Sequence, residues 1–230
     1  LPSPARRRDA CRAAGPGAGK TRRAYVWAYA RSFHGATPGV IYDFWLGRGA
    51  QYPVAFLGGE EKLGERRWRG TLLTDRYSAS DTVLDPRVHP DRIDAACTAH
   101  ARRKFDQLMR DGTNPLAEEA IRRFARIYAV EGELKATGDD ERQSRRQELA
   151  RPLWEKLQEW LELERRLVVD GGATAGAIDY TLNHWVALTR HLDDGAVAID
   201  NNHLERQIKP WAMGRRAWLF GGWRACGTAG

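Results

Sequence analysis

Two carboxylates stand where a hard divalent cation can be held. Asp75 closes the short apolar run Gly-Thr-Leu-Leu-Thr-Asp (70–75), which reads as a buried strand ending in an acid. In open α/β sheets, sites form at that carboxyl edge. Glu205 follows 130 positions later (205 minus 75), one turn into a predicted helix that opens at Asp-Asn-Asn (200–202). Asp200 or Asn201 can cap that helix through a side-chain oxygen. Carboxylate oxygens suit Mg²⁺, which prefers hard ligands and retained water. A pair of such ions can activate a nucleophile and stabilise the leaving oxygen of a phosphodiester. The structural alternative is ordinary: an Asp at a strand end is most often a turn or capping residue, and a helical Glu is usually solvated.

Other chemistry-bearing residues lead less far. Cys97 and His100 make half of a zinc site, but no second pair stands at ligand spacing. Cys97 instead reads as a small buried hydrophobe. The three cysteines (Cys11, Cys97, Cys226) form no disulfide framework and point to a reducing compartment. Gly17–Thr21 (GAGKT) approaches a phosphate-binding loop, but Ala14 stands where that motif needs glycine. Lys20 and Thr21 also precede a strand signal rather than a helix.

The elements that must position Asp75 and Glu205 come in two styles. Residues 1–19 lack apolar periodicity and read as a loop or tail. Strands are expected at 23–30, where Tyr25, Trp27 and Tyr29 alternate with Val26 and Ala28, and at 39–47, 70–75 and 93–100. Short helices are expected at 52–57 and from 79. The run Ala-Arg-Arg-Lys-Phe after residue 100 continues as a helix. From residue 115 the period changes to 3.6: Ala117, Ile121, Phe124 and Tyr128, then Leu149, Leu153, Leu157 and Trp160, then Ile178, Leu182, Trp185 and Leu192. Helices are predicted over roughly 115–136, 141–168 and 174–191, with a strand-like Ala-Val-Ala-Ile-Asp at 196–200. Strands, a helical block and a return make a mixed-sheet α/β domain with a helical insertion.

Bulk properties narrow the partner. The 230 residues have a formal net charge of +7 and are 42% hydrophobic, which suits a folded chain with a polyanionic partner, nucleic acid being the simplest. No apolar run reaches the length of a membrane span, and no secretory signal is visible. The default address is the cytoplasm.

Three blocks, Thr-Ala-His-Ala-Arg-Arg-Lys-Phe-Asp-Gln-Leu (98–108), Ile-Asp-Asn-Asn-His-Leu-Glu-Arg (199–206) continuing to Gly222, and Gly70–Asp81, resemble transposases of the insertion-sequence-66 family. The likeness covers about residues 16–224. It implies an RNase H-like α/β fold with a helical insertion and a three-carboxylate DDE site. It also implies Mg²⁺ as cofactor, with Mn²⁺ as the alternative ion, and DNA as partner. Water would attack the phosphodiester at the element end, and the freed 3′-hydroxyl would attack target DNA. Asp75 matches the family's second catalytic Asp and Glu205 its catalytic Glu, both as metal ligands. Arg102, Arg103 and Lys104, with Arg206, Lys209, Arg215 and Arg216, match basic residues expected to contact DNA. A homo-oligomer within a transposition complex follows from the same resemblance. The expected divisions are a tail at 1–15, a core at 16–112, a helical insertion at 113–192 and the return with its Glu helix at 193–230.

The sequence departs from the family at two places. Arg76 stands where a small or acidic residue is usual, and its guanidinium can pair with Asp75 or meet a phosphate. The first family Asp lies in a segment resembling His-Ala-Asp-Glu-Thr-Pro, where this chain reads Arg6-Arg7-Arg8-Asp9-Ala10. The codons CAC GCC GAC GAG ACG CC, read from their third base, encode Arg-Arg-Arg-Asp-Ala. Residues 1 to about 15 are therefore read as out of frame, with simple divergence as the alternative. This copy is expected to keep two metal ligands of three and to cleave DNA poorly. The ends, and the missing terminal-repeat recognition region, are expected to mark a fragment. A non-catalytic basic DNA-binding remnant and an RNase H-like nuclease are the competing functions.

Overall fold

The computed structural model describes residues 2–3, 10–14, 21–32, 39–58, 68–217 and 221–222. The chain is a mixed α/β protein that divides into two compact units. One comprises residues 1–31, 37–94 and 201–230; the other comprises 32–36 and 95–200. The described strands are β1 (Pro2–Ser3), β2 (Ala10–Ala14), β3 (Thr21–Ala30), β4 (Val40–Trp45), β5 (Gly70–Thr74), β6 (Arg92–Ala96) and β7 (Gly221–Gly222).

In the strand-bearing unit, alternation along β3 builds both faces of the sheet. β3 pairs antiparallel with β4 in the register Tyr25↔Trp45, Trp27↔Asp43 and Tyr29↔Ile41. Its other edge pairs antiparallel with β1 and β2, and β2 pairs in parallel with β7. Strand side chains alternate between faces, so Val26, Ala28 and Ala30 share one face with Val40, Tyr42 and Phe44. Helix α9 (Asn202–Ala217) lies on that face. Its Leu204 and Ile208 pack against Ala28 and Ala30, whose small side chains admit a helix closely. The Tyr42 hydroxyl donates to the Gln207 carbonyl at 2.9 Å, and Trp211 meets the Tyr42 and Phe44 rings. On the opposite face, Trp27 and Tyr29 pack with Ala79 from α2 (Ala79–Val83) and with Tyr52 from α1 (Gln51–Leu57). β5 and β6 form a separate two-stranded sheet. The buried Arg92 guanidinium ties it to both short helices by donating to the carbonyls of Val83, Leu57 and Gly58.

The other unit is helical: α3 (Thr98–Asp111), α4 (Pro115–Glu133), α5 (Asp139–Arg145), one π turn (Arg146–Ala150), α6 (Arg151–Leu167), α7 (Ala173–Asn183), α8 (Trp185–Thr189) and a 3₁₀ turn (Arg190–Leu192). Of the predicted stripe, Ala117, Phe124, Leu157, Ile178 and Leu192 are buried in its core beside Phe105, Ile127, Trp154, Leu161 and Leu188, whereas Ile121, Tyr128, Leu153, Trp160, Leu182 and Trp185 are only partly buried against it. Asn114 caps α4, its side-chain oxygen accepting the Ala117 N–H at 2.9 Å.

Several sequence expectations are corrected. Ala10–Ala14, read as part of a tail, form a strand along β3. The strand expected over 93–100 ends at Ala96, and Thr98 already opens α3. Residues 196–200 form no strand, because their carbonyls serve scattered donors instead of a ladder: Ala196 O accepts the Ser32 hydroxyl, Val197 O the Arg146 guanidinium and Ile199 O the Thr98 N–H. Arg146 donates from Nη1 to the carbonyls of His191, Asp194 and Val197 and holds Glu131 with its Nε and Nη2. Arg142 donates to Gly195 O at 2.8 Å. The helix expected over 174–191 breaks at His184.

Two predictions follow from this packing. A Cβ at Gly195 would lie 1.8 Å from the Asp139 carbonyl oxygen, a backbone atom that cannot swing aside. Gly195→Ala should destabilise the chain by about 1–3 kcal/mol, read by thermal denaturation; an unchanged melting temperature refutes the crossing. His191 is fully buried, with its Nδ1 at 2.9 Å from the Leu188 carbonyl. Burial, reinforced by the Arg146 guanidinium, holds its imidazole pKa down to about 3. The unfolded chain, near 6.5, then binds more protons than the folded one. The stabilisation is complete above pH 6.5 and is lost as pH falls through about 3. Between pH 6.5 and 4 this group should remove about 3 kcal/mol. A His191→Gln variant should show a correspondingly flatter acid limb in denaturant titrations, and equal slopes would refute the assignment.

Candidate active site

Asp75 is the first residue past β5. Leu72 and Leu73, buried in the strand, fix the direction in which the chain leaves. Asp75 is half-buried, and its Oδ1 accepts the Tyr77 N–H at 3.2 Å, an Asx-type contact that orients the carboxylate. Arg76 has a left-handed backbone, φ 57°. That conformation costs a non-glycine residue about 1–2 kcal/mol and is held from both sides. Its N–H donates to Thr74 Oγ1 at 3.2 Å. Its guanidinium donates to Asp94 Oδ2 at 2.8 Å and to Asp81 Oδ1 at 3.1 Å. The guanidinium that could have paired with Asp75 or met a phosphate is engaged by two other acids.

Glu205 is half-buried in the first turn of α9, where its N–H donates to the Asn201 carbonyl at 3.0 Å. A carboxylate there is favoured by the helix dipole. Its neighbours Leu204 and Ile208 are buried on the sheet, which fixes the rotation of the helix about its axis. Asn201 is buried at the head of the helix. Asp200, the other expected cap, accepts the Tyr128 hydroxyl at 3.0 Å within the helical unit. Burial and the Asp200 charge push the Tyr128 pKa well above the usual phenol range.

Asp75 and Glu205 thus belong to one unit. As oxygen donors they fit a hard cation by type. Among the described residues no group of three or more His, Cys, Asp or Glu is placed to hold a metal. Asp9 lies outside the described residues. Asp43, another acid of this unit, has its Oδ2 at 2.5 Å from the Trp45 indole nitrogen.

The basic residues separate by unit. Arg206 and Lys209 are exposed on α9. Arg215 and Arg216 continue the same helix, and their side chains lie outside the description. Arg102, Arg103 and Lys104 sit on α3 in the helical unit. There Arg102 pairs with Asp106 at 3.7 Å, and Lys104 Nζ lies 5.0 Å from the centre of the Tyr180 ring. Whole-unit charge divides the same way. The strand-bearing unit has 21 Lys and Arg against 11 Asp and Glu, or +10; the helical unit has 16 against 19, or −3. Pooling the whole chain into +7 concealed this segregation.

Cys97 is buried and in no disulfide, between β6 and α3, as its type suggested. Thr21 opens a strand, so no helix follows the Gly-Ala-Gly-Lys-Thr run to make a phosphate loop. Among the described residues no helix is long and apolar enough to cross a membrane.

The Arg76 geometry generates a paired test. Arg76→Ala and Arg76→Gly lose the same ion pairs, but only alanine keeps the left-handed strain. The alanine variant should be the less stable by about 1 kcal/mol in chemical denaturation; equal stabilities would refute a strained turn.

Comparison with known proteins gives the lineage. The chain is 31% identical over 214 residues to uncharacterized protein y4hP of Sinorhizobium fredii, covering 86% of this chain and 37% of that protein. Uncharacterized proteins y4qI and y4jD of the same organism are each 34% identical over 215 residues, which is 90% of this chain and 38% and 40% of theirs. The chain thus spans about two fifths of the length of these relatives. No solved structure matches. The family model described as "Transposase IS66 family" matches residues 10–229, reaching into the stretch read as out of frame. With the match running over nearly the whole chain, this protein belongs to the IS66 transposase family.

Proposed function

We propose that this chain is the catalytic region of a DDE-type transposase with an RNase H-like core, and that this copy binds DNA while cleaving it poorly. The observation that carries the reading is the joint presence, in one strand-bearing unit, of Asp75, Glu205 and the chain's whole basic excess. A family whose substrate is DNA needs its carboxylates where the phosphates gather, and a +10 unit gathers phosphates.

In this reading Asp75 and Glu205 are the oxygen donors to Mg²⁺, with Mn²⁺ as the alternative. The ion, when bound, supplies Lewis-acid stabilisation of charge on the phosphoryl oxygens. The Tyr77 N–H holds Asp75 in one rotamer. The packing of Leu204 and Ile208 holds Glu205 at the head of α9. Arg206 and Lys209 contact backbone phosphates, which positions the duplex without reading its sequence. Arg215 and Arg216 extend that role along the helix, and Arg102, Arg103 and Lys104 add contacts from α3. The third carboxylate is missing because residues 6–10 are the family segment translated in another frame. Two ligands of three give weak metal binding, so strand cleavage falls while phosphate binding persists.

The test uses the purified chain. DNA binding followed by fluorescence anisotropy should weaken steeply with added salt. Mg²⁺-dependent nicking of supercoiled plasmid should stay at background. In Mn²⁺ titration calorimetry, Asp75→Asn and Glu205→Gln should each reduce the residual affinity at least about tenfold. Robust Mg²⁺-dependent cleavage, abolished by Asp75→Ala, would show that the site is complete after all. Absence of salt-sensitive DNA binding would overturn the DNA reading itself.

A further inference from the structure

The loop after β4 carries Gly47-Arg48-Gly49. A Cβ at Gly47 would stand 2.8 Å from the Tyr52 hydroxyl oxygen and 3.0 Å from its ring edge, so the loop runs closely past that ring. Arg48 is set down on two others. Its guanidinium carbon lies 4.1 Å from the centre of the Tyr77 ring and 5.5 Å from that of Tyr25. Other arginines of this unit are consumed by protein groups. Arg69 pairs with Asp91, Arg76 with Asp81 and Asp94, and Arg87 with Asp85, while Arg92 is buried on carbonyls. Arg48 makes no ion pair or hydrogen bond with any described residue.

Stacking on tyrosine rings holds a guanidinium by its faces and leaves its in-plane N–H edge for an acceptor. That planar fork matches two oxygens of a phosphate. Tyr77 is also the residue whose N–H holds the Asp75 carboxylate. We propose that Arg48, stacked on Tyr77 and Tyr25, binds a backbone phosphate of the DNA strand presented to Asp75. The assignment rests on the DNA-processing reading above and adds a contact that neither the charge runs nor the family blocks indicated.

The experiment compares the full chain with Arg48→Gln and Arg48→Lys, using a labelled duplex of arbitrary sequence and a series of KCl concentrations. Loss of one phosphate contact should make the slope of log affinity against log salt shallower by about 0.9. Arg48→Gln should show that change at an unaltered melting temperature, and Arg48→Lys should keep the wild-type slope. A second measurement needs no variant: bound DNA should protect Arg48 of the wild-type chain from phenylglyoxal, read by peptide mass spectrometry. Salt-sensitive binding by the wild type, with an unchanged slope in Arg48→Gln or with no protection of Arg48, overturns this proposal alone. No salt-sensitive binding by the wild type overturns it together with the DNA reading.

Discussion

The Arg146 guanidinium sits fully buried in the π turn, and the helical unit is arranged around satisfying it. Glu131 of α4 takes two of its N–H groups, with the shorter contact at 2.7 Å, and three backbone carbonyls from residues 191–197 take Nη1. A buried charge is tolerable only when paired and hydrogen-bonded throughout. Removing one partner of such a pair costs about 3–5 kcal/mol, although replacing the whole set with apolar groups need not. The cluster's value therefore lies in specification. It joins α4, the π turn and the returning segment at one atom group, and the chain then continues directly into the helix that bears Glu205.

The strand-bearing unit solves a different problem, which is to hold a polar turn still beside an apolar sheet. Small residues on one face of β3 receive α9, and large aromatics on the other receive the short helices. Arg76 and Arg92 replace loop flexibility with directed hydrogen bonds at the ends of β5 and β6. Asp75 sits within this framework on a turn whose backbone is strained and over-determined, a condition that recurs where side chains must be aimed.

Periodicity carried much of the fold into view. The alternation at Tyr25, Trp27 and Tyr29 is the register observed, and Ala117, Phe124 and Leu157 of the predicted stripe lie in the helical core, with Ile121, Tyr128, Leu153 and Trp160 at its margin. What escaped has specific causes. A π turn adds one residue without disturbing the apolar spacing of Leu153 and Leu157, so it leaves no signature. The break at His184 is silent because Leu182 and Trp185 still fall at helical separation. Ala196–Asp200 has strand composition, but its hydrogen bonds go to Ser32, Arg146, Thr98 and Tyr128, donors distant in sequence and on no common strand. The places of Asp75 just past a buried strand and of Glu205 in the first turn of a helix were legible from local pattern. Arg48 was not, because a cation–π seat depends on rings 23 and 29 positions away on either side.

Gly195 has an evolutionary meaning apart from its packing. Its closeness to the Asp139 backbone is indifferent to metal, DNA or catalysis. If Asp75 and Glu205 hold the metal as proposed, substitutions at these positions would record a relaxation of selection on chemistry. Retention of glycine at 195 records whether selection still acts on a folded polypeptide. The two histories can then be read separately from the same gene, and a copy kept only as a binding protein would preserve the second after losing the first.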